Sequence, residues 1–341
     1  MKRIFIAILA VAALAACNKS EVVESAPQAA IAFDDVFVDN ATKAADLTAS
    51  NLADFGVYGT VAKNGQSGPI FENQKVQKSG TGFIYSPAQY WVPSAEYTFS
   101  AIAPYQAGDD ATWTYDAATA KITFHNDIAQ ANQDLLFAYA ERETEASITS
   151  KPAAVGFTFN HQLARARFTF TNDFGAESNI QLVVKNVTIT NVHKTGTLAV
   201  TVDANGVATT AWEGLADNTV PANVFARVFN QNADLTLAPA ADAATGAVTA
   251  AATEHFYLIP SNAAFNVKFD VDLYQAGVLL DTYSRTATLQ YNMQIGYSYD
   301  IKATLNSQNT SDEGELYPIE FSVDKVDEWE TFTGVDATVN K

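Results

Sequence analysis

Apolar and polar residues alternate along most of this chain with a period of two. In residues 266–274 (NVKFDVDLY), Val267, Phe269, Val271 and Leu273 alternate with Lys268, Asp270 and Asp272. In residues 297–305 (YSYDIKATL), Tyr297, Tyr299, Ile301, Ala303 and Leu305 alternate with Ser298, Asp300, Lys302 and Thr304. Residues 319–324 (IEFSVD) repeat the pattern, and in 165–171 (RARFTFT) Phe168 and Phe170 oppose Arg165, Arg167 and Thr169. Successive side chains of a strand point to opposite faces. One face is therefore buried and one wet, as in antiparallel sheets.

Turn signals separate these runs. Asp203-Ala204-Asn205-Gly206 divides TLAVTV from VATTAW, and Asn-Gly is a strong hairpin signal. Residues 242–246 (DAATG) read as another turn, and 112–124 (TWTYDAATAKITF) as a hairpin turning at Asp116 to Thr119. Helical spacing is scarce; only 44–54 and 128–136 suit a turn or two of helix. Roughly 18 to 20 short strands with little helix predict sandwiches, and that many exceed one ordinary sandwich. The expected organisation is all-β: a signal peptide at 1–16, a tether at 17–30, and antiparallel β-sandwich domains at 31–156 and 157–341. The cut near 157 follows Pro152 and the small residues of TSKPAAVG. No repeat period points to a solenoid or propeller.

The amino end breaks the alternation. Lys2 and Arg3 precede an apolar or small-residue run from Ile4 to Ala16. That run is shorter than the roughly 20 residues needed to span a bilayer, and it has the form of a secretory signal. It ends in Leu14-Ala15-Ala16-Cys17, and Cys17 is the only cysteine among 341 residues. The tetrapeptide fits the bacterial lipobox, in which the thiol is lipidated and cleavage falls before it. Several acyl chains hold a protein on a membrane persistently. The exported part then folds without disulfides. Losing Lys2 and Arg3 moves the net charge from −18 to −20. Such a charge disfavours nucleic acid and anionic membrane surfaces.

Candidate chemistry is sparse. His125, His161, His193 and His255 show no metal-ligand spacing and read as hydrogen-bonded residues at strand ends. No nucleophile elbow, phosphate loop or dinucleotide fingerprint is present. Acidic pairs such as Asp34-Asp35, Asp109-Asp110 and Asp312-Glu313 lack a calcium-loop spacing. No cofactor, no metal and no catalytic residue is expected. Tyr85, Tyr90 and Trp91, with Trp113 and Tyr115 nearby in sequence, admit two readings: a sugar-stacking platform, or rings capping a sandwich core.

Taken in order, the motifs resemble one family. The lipobox is followed by IAFDDVFVDNATKA (31–44), LADFGVYGTV (52–61), YWVPSAEYTFSAIAPY (90–105), FTFNHQLARARFTFTN (157–172), HFYLIPSNAAFNVKFDV (255–271), IGYSYDIKATL (295–305) and PIEFSVDKVDEWE (318–330). This set is similar to the fimbrillin proteins of Bacteroidales, the subunits and tips of lipoprotein-derived type V pili. The resemblance implies two tandem transthyretin-like β-sandwich domains. It implies an outer-membrane lipid anchor at Cys17, a trypsin-like protease that cuts in the loop after the first strand, and departure of that strand. A strand of another fimbrillin subunit then fills the vacated groove, by strand addition.

Mapped onto this chain, cleavage falls between Lys43 and Ala44, and the displaced strand is 31–38. Its groove-filling side chains are Ile31 and Phe33, or Val36 and Val38. The C-terminal donor is less plain: after Trp329, in ETFTGVDATVNK, Phe332, Val335 and Val339 do not alternate strictly and Gly334 stands between them. The resemblance thus implies a structural pilus subunit assembled by strand exchange. The alternative it carries is a surface adhesin or tip module for host glycan or matrix.

Overall fold

The computed structural model describes residues 29–38, 51–108, 111–125, 132–215, 224–229, 233–239, 249–312 and 319–326. Within them the chain is all-β, with 21 strands in four sheets and a single three-residue 3-10 turn at Ala176–Ser178. The turn or two of helix expected at 44–54 and 128–136 is absent from the described parts of those stretches; Asn51–Ala53 and Asn132–Leu135 are irregular and lead into strands. Cys17, Lys43, Ala44, the turn expected at 242–246 and the segment 327–341 lie outside the described residues.

The first sheet has seven strands, in the order β1 (Phe33–Val38), β9 (Val155–His161), β8 (Leu136–Glu143), β5 (Glu96–Ala103), β2 (Asp54–Lys63), β3 (Gln66–Ser79) and β4 (Gly82–Ile84). Its two edges are not far apart. Residues 29–31, just ahead of β1, meet 89–91, just beyond β4, through an antiparallel bridge between Ala30 and Tyr90. The sheet thus curls around its own core, in which Phe55, Val57, Phe71, Tyr97, Phe99, Phe157 and Phe159 are buried.

The opposite face of β2, β5 and β8 packs on a four-stranded sheet. Its order is β13 (Ala208–Glu213), β12 (Thr195–Val202), β7 (Lys121–His125) and β6 (Trp113–Asp116). The β6–β7 hairpin turns where the sequence places it, with Asp116 opposite Lys121. The β12–β13 hairpin turns through Asp203–Gly206, and Gly206 adopts φ 75°, which suits glycine.

Two further sheets form a sandwich around a core of their own. One runs β16 (Thr249–Ala252), β10 (Ala164–Asn172), β20 (Ser298–Leu305) and β21 (Phe321–Val326), with β17 (Phe256–Leu258) also paired to β10. The other runs β14 (Val224–Val228), β11 (Ile180–His193), β18 (Ala264–Gln275) and β19 (Val278–Gln290), with β15 (Leu235–Leu237) also on β11. The alternating residues Val267, Phe269 and Val271 face Phe168, Phe170, Ile301 and Ala303 in this core.

Three features depart from the sequence reading. Two pairings, β1–β9 and β10–β20, are parallel, whereas every other ladder is antiparallel. Alternation shows which face is buried but not which way the neighbouring strand runs. The expected cut near 157 falls inside β9, which pairs with β8 and β1; the chain passes between halves at Gln162 and Leu163. Finally, β12 and β13 come late in the sequence yet join the sheet of β6 and β7 from the first half, through the pairing of β12 with β7.

Polar contacts fasten this crossing. The indole of Trp212 donates to the Gln162 carbonyl at 2.7 Å, and the Thr210 hydroxyl donates to the Gln162 side-chain oxygen at 2.7 Å. His161 Nδ1 sits 2.6 Å from Asp134, both buried. The amide of Gly296 donates to the Leu163 carbonyl, and that of Arg165 to the Tyr297 carbonyl.

Candidate functional site

The segment 29–38 is held by two backbone seams. On one side the Ile31 amide donates to the Gln89 carbonyl at 2.8 Å, and the Trp91 amide to the Ala29 carbonyl at 3.0 Å. The Tyr85 hydroxyl donates to the Ile31 carbonyl at 2.9 Å. Burial holds the Tyr85 phenol above its usual range, which keeps it protonated as that donor. On the other side the Val155 amide donates to the Ala32 carbonyl at 2.8 Å. Beyond it β1 runs parallel to β9, pairing Phe33 with Val155, Val36 with Phe157, Phe37 with Thr158 and Val38 with Phe159.

β1 is the outermost strand of its sheet and touches β9 alone as a ladder partner among the described residues. Its apolar side chains nonetheless reach deep. Phe33 is 2% exposed. Its ring stacks on Phe157 at 5.6 Å and 19° between planes. Phe71 and Tyr85 each lie 5.5 Å away, and Phe99 and Phe55 approach at 6.0 and 6.5 Å, edge to face. Such arrangements suit the ring quadrupoles. Ile31 is equally buried, and Val36 and Val38 pack part-buried against the same cluster. Phe37 points the other way and is 60% exposed.

The two sets of side chains offered as alternatives by alternation, Ile31 with Phe33 and Val36 with Val38, therefore lie on one face. A register shift between Phe33 and Val36 makes this possible. A bulge adds a residue and restores the inward phase. Strict alternation could not have found it. The wall of the slot was also invisible in the sequence, because Phe55, Phe71, Tyr85, Phe99 and Phe157 come from β2, β3, the loop after β4, β5 and β9. Phe99, in the alternating YTFSA run, and Phe157, in the alternating FTFN run, carry a local signal of burial, but none of which rings they meet.

The other candidate residues are placed as follows. Trp91 is 4% exposed and packs edge-on against Tyr97 at 4.7 Å. It presents no open face on which a sugar could stack, although Tyr90 beside it is exposed. Trp113 lies in the core between the first two sheets. His125, His161 and His193 end strands, and His255 directly precedes one. Among the described residues no group of three or more histidine, cysteine or acidic side chains is arranged to hold a metal. No helix among them is long and apolar enough to cross a membrane.

A family model described as fimbrillin-like matches residues 42–318. A second, for the prokaryotic membrane lipoprotein lipid attachment site, matches residues 1–18. No curated protein matches. Among solved structures, a fimbrial protein from Bacteroides vulgatus is 17% identical with a TM-score of 0.60, covering 89% of this chain and 100% of that one. A candidate cell adhesion protein from Bacteroides ovatus is 17% identical with a TM-score of 0.47, covering 90% and 99%. Another from Bacteroides uniformis is 15% identical with a TM-score of 0.46, also covering 90% and 99%. At 17% identity the likeness to the Bacteroides vulgatus protein is one of fold. The family is a structural, non-enzymatic class, and with the lipid attachment site it supports a membrane-anchored surface protein related to pili. The chain belongs to the fimbrillin-like family.

Proposed function

We propose that this chain is a structural pilus subunit that assembles by strand exchange. It reaches the outer membrane as a lipoprotein anchored by acyl chains on Cys17. A trypsin-like protease cuts between Lys43 and Ala44, and β1 leaves with the anchor. Its slot, walled by the rings around Phe33, is refilled by a strand of another subunit. In this reading the two halves are the family's tandem transthyretin-like sandwiches, interlocked by the β12–β13 hairpin.

One observation carries the proposal. An edge strand, joined to a single neighbour, buries Phe33 in a cage of five rings, and a basic residue follows it by a few positions. Edge strands are ready templates for pairing, and a buried apolar face gives the replacement its specificity. The test is limited trypsin treatment of the soluble chain from residue 18. Clipping after Lys43 is expected to yield polymers whose size grows with protein concentration. Clipped chains that remain monomeric at every concentration would refute assembly by strand exchange.

A further inference from the structure

The β18–β19 hairpin ends in a feature that the sandwich does not use. Ala276 and Gly277, at φ 49° and 79°, make the tight two-residue turn that suits a hairpin. Just beyond it Val278, Leu279 and Leu280 are 62%, 48% and 54% exposed. No other exposed large apolar side chains among the described residues adjoin in sequence. Apolar side chains exposed singly are ordinary, whereas a consecutive run in the open is a defect unless it serves a function. Leu279 pairs with Tyr274 and Asp281 with Leu273, so Leu280 is the extra residue of a bulge. From Gln275 to Thr282 both faces of the hairpin are exposed.

Topology puts this tip at an outer end of the molecule. The start of β18 borders the first half: Asn266 pairs with Thr190, close to His193, after which β12 enters the sheet of β6 and β7. The other end of β18, Gln275, pairs with Ile180 and carries the tip away from the junction. In the first half β9 reaches the junction at His161, and Phe33 pairs with Val155 at the beginning of that strand. Residues 29–33, through which the chain leads back to Cys17, thus lie at the outer end of the first half, and the tip at the outer end of the second. The strand ends and turns around the tip, residues 172–184, 269–284 and 303–312, hold Asp and Glu but no Lys or Arg.

We infer that Val278, Leu279 and Leu280 insert into the surface of a zwitterionic lipid bilayer, apposed to the membrane that holds the lipid anchor. Shape, size and charge each select this partner. A fluid hydrocarbon boundary surrounds the tip and covers both of its faces, whereas a flat protein surface covers one. Three side chains, each about half exposed, fall well short of the roughly 800 Å² per partner of a standard protein interface. Entry into lipid has no such threshold, being a sum of separate side-chain transfers. The acidic surround repels anionic headgroups. Tyr274 stands beside Leu279, at the level where aromatic rings favour a membrane interface. The charge of Asp281 directly after Leu280 confines entry to the tip.

This contact needs neither cleavage nor strand exchange, so the uncut soluble chain from residue 18 tests it, by flotation with vesicles. Phosphatidylcholine vesicles are expected to carry the chain, and vesicles rich in phosphatidylglycerol to carry several-fold less at low salt. Leu279→Asp combined with Leu280→Asp is expected to cut the floated fraction at least tenfold. Both positions are exposed, and an unchanged melting temperature checks that the fold survives. The chain from residue 18 has no cysteine, so a polarity-sensitive dye on Leu279→Cys reports the tip alone, and one on Tyr90→Cys the outer end of the first half. Vesicles are expected to shift the emission to the blue at 279 and not at 90. Absence of flotation, flotation that survives the double substitution, or a blue shift at 90 alone overturns the inference. A preference for phosphatidylglycerol overturns the zwitterionic partner. Self-association that depends on the tip, without vesicle binding, assigns the tip to a second copy and overturns the lipid surface.

Discussion

Phe33 concentrates the chemistry of this protein into one side chain. Five rings touch it and almost none of it meets water. Removing a buried phenylalanine costs about 3–5 kcal/mol where the surroundings relax little. Phe33→Ala is expected to lower stability by about that much, or to free β1 altogether if the strand is held by less. Urea denaturation, together with the rate of trypsin cleavage after Lys43, reads both outcomes. An unchanged midpoint and cleavage rate would show that the cage does not retain β1. The burial of Phe33 was foreseeable from its place in an apolar run beside Ile31. The ring cage was not, since its members are scattered from Phe55 to Phe157.

At the scale of elements, the β12–β13 hairpin is the piece that the linear order of the chain misplaces. Its strands were legible from alternation, and its turn from Asn205-Gly206. Its partner was not. Leu198 packs with Ile122, Phe124 and Trp113 in the core between the first two sheets, and Trp212 lies against Phe124 at 6.2 Å. A piece comprising residues 18–162 lacks this hairpin and would expose the apolar side of β7. Expressed alone, it is expected to aggregate or to lack cooperative unfolding, by gel filtration and circular dichroism. A soluble, cooperatively melting monomer would show that the hairpin is dispensable to the first half. The polar fastening at Gln162 argues the same way, because two side chains of β13 hold the residue where the chain leaves the first half.

Across the whole molecule, charge governs how copies meet. Clipped copies, from Ala44 onward, hold 16 basic against 33 acidic residues, a net charge of −17, and repel one another. The screening length falls from about 30 Å at 0.01 M salt to about 8 Å at 0.15 M. Subunit joining brings like-charged bodies together, so the clipped chain is expected to polymerise several-fold faster at the higher salt. Light scattering against time measures this. Equal rates at both salt concentrations would mean that charge does not oppose assembly, and that release of β1 sets the rate. The same charge keeps unprocessed copies apart while their edge strands are occupied.

The sequence by itself determined the all-β class, most strand positions, the lipobox at Cys17 and the family resemblance. These follow from local features: side-chain period, turn residues and contiguous motifs, each set by neighbours a few positions away. The tertiary structure decided the rest. It set the parallel pairing of β1 with β9, the bulge that puts Phe33 and Val36 on one face, the ring cage and the exchange of a hairpin between halves. All four depend on which distant strands come to lie side by side. Period two gives a strand two faces, and it carries no information about its partner, direction or register.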